Sequence, residues 1–239
     1  MKKVTVLIPC YNEAEAIGDL IRHLPADKLR ALGYKLDVLV VDNNSTDGTA
    51  DVARKAGARV VHESKQGKGN AIQKGFYSLA ADTTCVVMLD GDNTYRPDEL
   101  LRMIEPIDNG FTQVVLGSRM YGQISAGSMP PANRFGNRLF SWLVRRGYKV
   151  PVTDVLTGYY AWSAKAVKAL RPHLETTDFR IEMEMVTKMA RLGLTICSVP
   201  ISYDARLGTS SLKPIKDGMR IMGEYLSNLH WHPSKSPKI

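Results

Sequence analysis

The stretch VVMLDGDNTYRP, residues 86–97, decides how the rest of the chain is read. Four apolar residues, Val86 to Leu89, stop abruptly at Asp90-Gly91-Asp92. A short apolar run closed by a turn signal is the pattern of a strand covered on both faces. Two carboxylates one residue apart stand at its exit. Gly91 between them lets the backbone turn there. The residues on either side show what kind of sheet this strand enters.

Upstream, strands and helices alternate. Residues 3–9 read as a strand, 13–24 as a helix, and 36–41 as an apolar strand ending in Asp42. A short helix follows over 49–56, with Asp47 or Ser45 placed to cap it. Residues 59–62 read as a strand, 68–81 as a helix and 84–89 as the strand quoted above. Downstream come a helix over 97–107, with proline in its first turn, and a strand over 112–116. This alternation implies βαβ units and a mostly parallel sheet with helices on both faces. Residues 118–131, SRMYGQISAGSMPP, are rich in Gly, Ser and Pro and read as a mobile loop, a candidate lid. A helix over 133–146 follows, then a less regular portion.

In such a sheet, functional groups gather where the strands end. Three strand ends are polar: Pro9-Cys10-Tyr11-Asn12-Glu13, Asp42-Asn43-Asn44-Ser45-Thr46-Asp47-Gly48 and Asp90-Gly91-Asp92. In a parallel sheet they share one edge, and that edge is acidic. The chain as a whole carries a net charge of +8. Carboxylates concentrated in a basic protein point to a divalent cation. Mg²⁺ takes one or two carboxylates and completes its shell with substrate phosphates and water.

Composition narrows the alternatives. A chain of 239 residues, 44% of them hydrophobic, suits one α/β domain, with or without a small appendage. No apolar run approaches the ~18 residues of a membrane span. The N-terminal MKKVTVLIPCYNE has too short an apolar stretch for a signal peptide, and acidic Glu13 and Glu15 follow at once. A cytosolic protein is expected. Cys10, Cys85 and Cys197 lie far apart beside strand-like residues and read as buried thiols. The basic charge favours anionic partners. Lys and Arg are scattered without an aromatic-interleaved patch, which disfavours nucleic acid. The first strand is followed by PCYNEAEA. It lacks the G-x-G-x-x-G of a dinucleotide site and the Gly-rich, Arg-containing loop of a sugar-nucleotide pyrophosphorylase.

Two helical patterns carry further signals. On a wheel of 181–192, Ile181, Met185, Val186, Met189 and Leu192 share one face, with Glu182 within it and Glu184 outside. A carboxylate on an apolar face must be paired or functional. Near the C-terminus, Leu212, Ile215, Met219, Met222, Leu226 and Leu229 form one stripe, with Lys213, Lys216 and Arg220 on another face and Trp231 beyond. The helix over 133–146 similarly sets Arg134, Arg138 and Arg145 beside Phe135, Leu139, Trp142 and Leu143. Both suit helices lying at a membrane interface; a stripe of this kind also suits packing on its own domain or in a dimer. The expected division is a catalytic domain over 1–211 and an amphipathic helix and tail over 212–239.

PCYNE, VVDNNSTDGT, GKGNA (67–71), DGD and GSR (117–119), in this order, resemble the family 2 glycosyltransferases of the GT-A fold. DVLTGYYAW, DFRIEME and VPISYDARLGTSSLKPIKDG look like segments of dolichol-phosphate mannose synthases and related polyprenyl-phosphate sugar synthases. The resemblance spans nearly the whole chain. It implies a Rossmann-like GT-A sheet and an inverting transfer of sugar from a nucleotide-diphosphate sugar to dolichyl or polyprenyl phosphate, at the cytoplasmic face of a membrane. It places Pro9, Tyr11, Glu13 and Asp42 at the base and ribose, with Asn44, Lys68, Asp90 and Gly91 also at the donor. Asp90 and Asp92 match the pair that binds Mg²⁺ or Mn²⁺ on the diphosphate. Arg119, Arg134, Arg206 and Lys213 match, or lie near, positions that dock the acceptor phosphate. Asp92, Asp154 and Glu182 are the candidates nearest the chemistry. Thr94 stands where the family often carries Gln. The donor is left open between GDP-mannose and a UDP-sugar, with UDP favoured. The alternatives are a GT-A transferase with a non-lipid acceptor, and a non-catalytic nucleotide-sugar- or membrane-binding protein.

Overall fold

The computed structural model describes residues 1–206 and 214–233. The first strands are β1 (Lys2–Cys10), β2 (Tyr34–Asp42), β3 (Arg59–His62) and β4 (Thr83–Met88). They alternate with α1 (Ala14–Arg22), α2 (Ala26–Ala31), α3 (Thr49–Lys55) and α4 (Lys68–Tyr77). Then come α5 (Leu100–Asp108), β5 (Val114–Ser118), α6 (Pro131–Tyr148), β6 (Tyr160–Ser163), α7 (Ala164–Leu170), α8 (Ile181–Arg191), β7 (Ile196–Pro200) and α9 (Pro214–Asn228). One seven-stranded sheet has the order β3-β2-β1-β4-β6-β5-β7. All its pairings are parallel except those of β6, which runs antiparallel to both β4 and β5.

Strand β4 shows why its sequence is a continuous apolar run. Val86 and Met88 point into one core, shared with α4, α6, α7, α8 and α9. Val87 and Leu89 point into the other, shared with α1, α2, α3 and α5. Both faces are covered over residues 85–89, so no position in that stretch is left for a polar residue.

The expected elements of the first half are present, with their ends moved by a few residues. Residues 26–31, read only as a polar stretch, form the short α2. Beyond 146 the described residues carry β6, α7, α8, β7 and α9, where the sequence suggested irregularity. Its four-residue β6 is too short for a periodic signal. It is recognised by packing instead: Trp162 stacks on Tyr160 at 5.0 Å and meets Phe76 edge-on. The loop over 118–131 is pinned rather than free. Tyr203 N–H donates to the Gln123 carbonyl, and Ser125 N–H donates to the Tyr203 carbonyl. Gly122 lies so close to Ile201 that a Cβ would fall 1.8 Å from its carbonyl oxygen.

The predicted stripe on α9 is split in the fold. Ile221, Tyr225 and Asn228 form the buried face, with Met222 and Leu229 partly covered against the core. Ile215, Met219 and Leu226 of the same stripe are exposed, Ile215 by 81%. Leu212 and Lys213 lie outside the described residues. Next to this helix, α6 exposes Phe135, Leu139 and Trp142. Among the described residues, no helix is long and apolar enough to cross a membrane.

Candidate active site

The parallel registers bring the ends of β1, β2 and β4 together: Cys10 pairs with Asp42, and Leu7 pairs with Met88. Each chain then turns through an asparagine in the left-handed region, Asn12 (φ 55°), Asn44 (φ 66°) and Asn93 (φ 62°). Asparagine is among the non-glycine residues that tolerate this conformation best. Gly91 itself does not take the left-handed turn. Its constraint is space, since a Cβ there would lie 2.7 Å from Cys10 Sγ.

The polar segment after β2 largely braces β1 and its exit. Asn12 N–H donates to Ser45 Oγ, and Thr46 N–H donates to Asn12 Oδ1. Asp47 accepts from Ala14 N–H, at the start of α1, and from Thr49 N–H. The N-cap of α3 is Gly48, so neither Asp47 nor Ser45 holds that position. Asp42 is buried, accepting from Ser45 N–H with one oxygen and lying 3.2 Å from His62 Nδ1 with the other. Asn43, which the sequence reading passed over, ties down the next loop: its amide donates to the Glu63 and Lys65 carbonyls and accepts from Gly67 N–H.

That loop delivers Lys68, the first residue of α4. Its seat is exact in backbone terms. A Cβ on Gly67 or Gly69 would fall 2.2 or 2.1 Å from the carbonyl oxygens of Thr177 and Thr176. Lys68 Nζ therefore reaches two carboxylates from different elements, Asp90 Oδ1 at 2.8 Å and Glu182 Oε1 at 2.7 Å. Burial disfavours the ammonium, but the two carboxylates outweigh it and hold Lys68 charged. Burial pushes the Glu182 carboxyl up, with Lys68 opposing.

Asp92 is fixed by its neighbours. Its Oδ1 accepts from Thr94 N–H at 3.1 Å and from the Thr94 hydroxyl at 2.6 Å. Its Oδ2 faces Arg206 at 3.3 Å, and Arg206 also meets Glu13 at 3.0 Å. Burial and the charge of Asp90 raise the Asp92 carboxyl, against Arg206. Burial likewise pushes Glu13 up to about 7, with Arg206 opposing and Asp92 adding to the rise.

Arg119 and Asp154 form a separate buried pair. Two guanidinium N–H groups meet the two Asp154 oxygens at 2.7 and 2.8 Å, the Arg119 backbone N–H adds a third contact, and Asn137 donates a fourth. Arg119 also donates to the Leu156 carbonyl and lies over the Tyr203 ring. Asp154 is fully buried.

These groups surround a cleft of about 450 Å³. Pro9, Tyr11, Glu13, Lys68, Asp90, Gly91, Asp92, Arg119, Glu182 and Arg206 line it. The lining continues along α6, with Asn133, Gly136 and Phe140, and along α9, with Asp217 and Ile221. Asp42, Asn44, Arg134 and Asp154 are not among the lining residues; Lys213 lies outside the described residues. The sequence reading missed Asn43, Tyr95, Phe179 and Asp178 in the wall. Glu184, which the helical wheel set outside the apolar face, is buried. It accepts from Glu175 N–H, Thr176 N–H, the Thr176 hydroxyl and Lys188. Helix α8 is buried on all sides from Ile181 to Met189, so it has no solvent face over that span.

Glu13, Asp90, Asp92 and Glu182 outnumber the two cations among them, Lys68 and Arg206. Such hard oxygens in excess suit a divalent cation whose remaining ligands come from phosphate and water. Among the described residues, no group of three or more His, Cys, Asp or Glu is arranged to hold a metal alone.

A parallel sheet with one antiparallel insertion, opening an acidic edge onto a cleft, defines an α/β fold with its site at the strand ends. The chain belongs to glycosyl transferase family 2, whose family model matches residues 5–170. It is 36% identical over 217 residues to Glycosyltransferase AglJ of Haloferax volcanii, covering 90% of this chain and 68% of that protein. It is 33% identical to a dolichyl-phosphate hexose transferase of the same organism, over 91% of this chain and 90% of that one. It is 31% identical to an undecaprenyl-phosphate mannosyltransferase of Micrococcus luteus, over 88% and 87%. Among solved structures, glucosyl-3-phosphoglycerate synthase of Mycobacterium tuberculosis, in complex with Mn²⁺, UDP-glucose and phosphoglyceric acid, superposes with a TM-score of 0.75. It is 22% identical, and the match covers 98% of this chain and 82% of that one, so the likeness shows a common fold. The protein is a glycosyltransferase.

Proposed function

We propose that this glycosyltransferase moves a sugar from a nucleotide-diphosphate sugar to a polyprenyl phosphate at the cytoplasmic face of a membrane, with inversion. One observation carries the reading: the cleft joins an acidic, cation-ready edge to the interval between α6 and α9, whose outer faces expose Phe135, Leu139, Trp142, Ile215, Met219 and Leu226. A polyprenyl phosphate needs both an ionic seat and an apolar path. The names of the dolichyl- and undecaprenyl-phosphate relatives agree with this acceptor class.

The residues then have distinct tasks. Asp90 and Asp92 would hold Mg²⁺ or Mn²⁺. The bound cation supplies charge neutralisation for the departing diphosphate. Thr94 orients Asp92 through its N–H and hydroxyl. Pro9, Tyr11 and Glu13 line the donor end. Lys68 and Glu182 set the floor beneath the sugar. The acceptor oxygen attacks the anomeric carbon from the face opposite the diphosphate. The carbon–oxygen bond to the diphosphate breaks, and its electron pair leaves with that group. A phosphate acceptor is already anionic, so no base must remove a proton from it. This agrees with Asp154, whose oxygens are committed to Arg119 and Asn137. Asp154 is a positioning residue for Arg119, which together with Arg206 faces the acceptor phosphate.

The test is transfer of labelled sugar from a panel of UDP- and GDP-sugars to a polyprenyl phosphate, with and without EDTA. Organic-phase label that EDTA abolishes is expected, from a UDP-sugar first. Label appearing only on water-soluble acceptors would remove the lipid from the reading.

A further inference from the structure

The acidic pair is already neutralised, and its two partners are of different kinds. Lys68 is fixed: its side chain is only 15% exposed, it begins a helix whose glycines press on the Thr176 and Thr177 carbonyls, and it is held by two carboxylates. Arg206 is held differently. Residues 204–206 lack regular structure, the Arg206 side chain is one-third exposed, and among the described residues the acidic partners that grip its guanidinium are Glu13 and Asp92. On Asp92, Oδ1 is committed to Thr94, so Oδ2 is the oxygen open to a new partner. That oxygen is the one Arg206 meets. A divalent cation and a guanidinium repel each other strongly at such range. Sharing Asp92 Oδ2 would set these like charges against each other, so the two compete for it.

The segment that carries Arg206 is anchored two residues earlier. Asp204 takes two contacts from Arg96, at 2.6 and 3.1 Å, and accepts from the Ser125 hydroxyl at 2.6 Å. Its backbone N–H donates to the Thr94 carbonyl, next to the acidic pair. A guanidinium displaced from Asp92 thus stays tethered at the cleft.

Resting on the reading above, we propose that Arg206 is an exchangeable resident cation: it occupies Asp92 in the free protein, yields that oxygen to the cation of the donor complex, and only then turns to the acceptor's phosphate. The exchange imposes an order. Before the donor arrives, the charge that should receive the acceptor is engaged elsewhere. After it arrives, the same charge is free beside the diphosphate.

The experiment compares the wild-type chain with Arg206→Ala and Arg206→Lys. Mn²⁺ alone is titrated by electron paramagnetic resonance, without nucleotide or acceptor. Removing an internal competitor should tighten Mn²⁺ binding in R206A by about fivefold or more, the lower end of ordinary coupling between sites. R206K keeps the competing charge and should stay near wild type. Farnesyl phosphate is then titrated with and without Mn²⁺ and UDP or GDP. The wild type should bind it more tightly when Mn²⁺ and nucleotide are present, and R206A should lose that gain. Equal or weaker Mn²⁺ binding by a folded R206A, or farnesyl phosphate binding to wild type that ignores Mn²⁺ and nucleotide, overturns the exchange. Sugar transfer by wild type is scored separately. Transfer accompanied by unchanged Mn²⁺ affinity in R206A would sink the exchange while leaving the proposed reaction standing.

Discussion

Asp92 and Asp154 are both buried aspartates facing arginines, yet they call for opposite experiments. Asp92 lines the cleft, and one of its oxygens faces a partly exposed arginine. Asp92→Asn removes an anionic ligand while keeping the Thr94 contacts approximately in place. Transfer should fall roughly 100-fold or more, because a metal's charge stabilisation is worth several kcal/mol and each 1.36 kcal/mol is tenfold. Its melting temperature should hold or rise, since burial and Asp90 oppose its charge. Turnover near wild type would refute the metal role. Asp154 is different, because its oxygens are committed to Arg119 and Asn137. Asp154→Asn leaves the buried Arg119 without a counter-ion, a loss of about 3–5 kcal/mol in comparable cases. Thermal unfolding should therefore occur well below the wild-type temperature. Normal stability and wild-type binding of farnesyl phosphate, with turnover abolished, would instead make Asp154 a direct participant in the chemistry.

Among the elements, α9 asks for side-chain changes and argues against deletion. Ile221 and Tyr225 belong to the core, so removing the helix would unfold what it covers. Ile215, Met219 and Leu226 are exposed. Replacing these three with Ser should leave the melting temperature near wild type and weaken partitioning to anionic vesicles more than tenfold. Each buried apolar side chain contributes on the order of 1 kcal/mol to such contact. Unchanged vesicle binding would exclude this face. The same helix marks a limit of sequence reading. Periodicity found its apolar stripe, but it could not reveal that Ile221, Tyr225 and Asn228 set the packing angle and turn part of the stripe outward. Strands β1, β2 and β4 were legible because both-face burial and polar exits leave plain local marks. Strand β6 and the Lys68–Asp90–Glu182 bridge were not. The first is four residues long, and the second joins three elements distant in the chain. On α8, Glu182 was found from the wheel, while Glu184 misled because total burial of a helix erases its polar face.

At the scale of the whole molecule, a basic protein holds an acidic cleft, and this makes its stability sensitive to pH. The folded Glu13 carboxyl sits at about 7, raised from 4.5, chiefly by burial. A raised carboxyl favours the folded state below its unfolded value, and that contribution disappears as pH climbs through 7. Without divalent cation, stability should therefore decline between about pH 5 and about pH 8 on account of this group. Mg²⁺ held at Asp90 and Asp92 would offset the carboxylate charges that add to this rise. Its stabilising effect should be larger at about pH 8 than at about pH 6, where protons compete for the cluster. Scanning fluorimetry at both values checks this. A Mg²⁺ effect independent of pH would mean that the cation binds away from the cluster.

The antiparallel strand also governs how the chain reaches its fold during synthesis. Met88 must wait for Tyr160 before the inner side of β4 is paired, and β5 takes its other neighbour only when Ile196 arrives. Until then the nascent sheet ends in an apolar edge, the kind of edge that recruits other strands. Such long-range closure slows folding. The ribosome-bound chain thus carries its most association-prone surface at what will become the middle of the sheet. Fragments ending before β6 should aggregate, even though they contain the entire acidic edge.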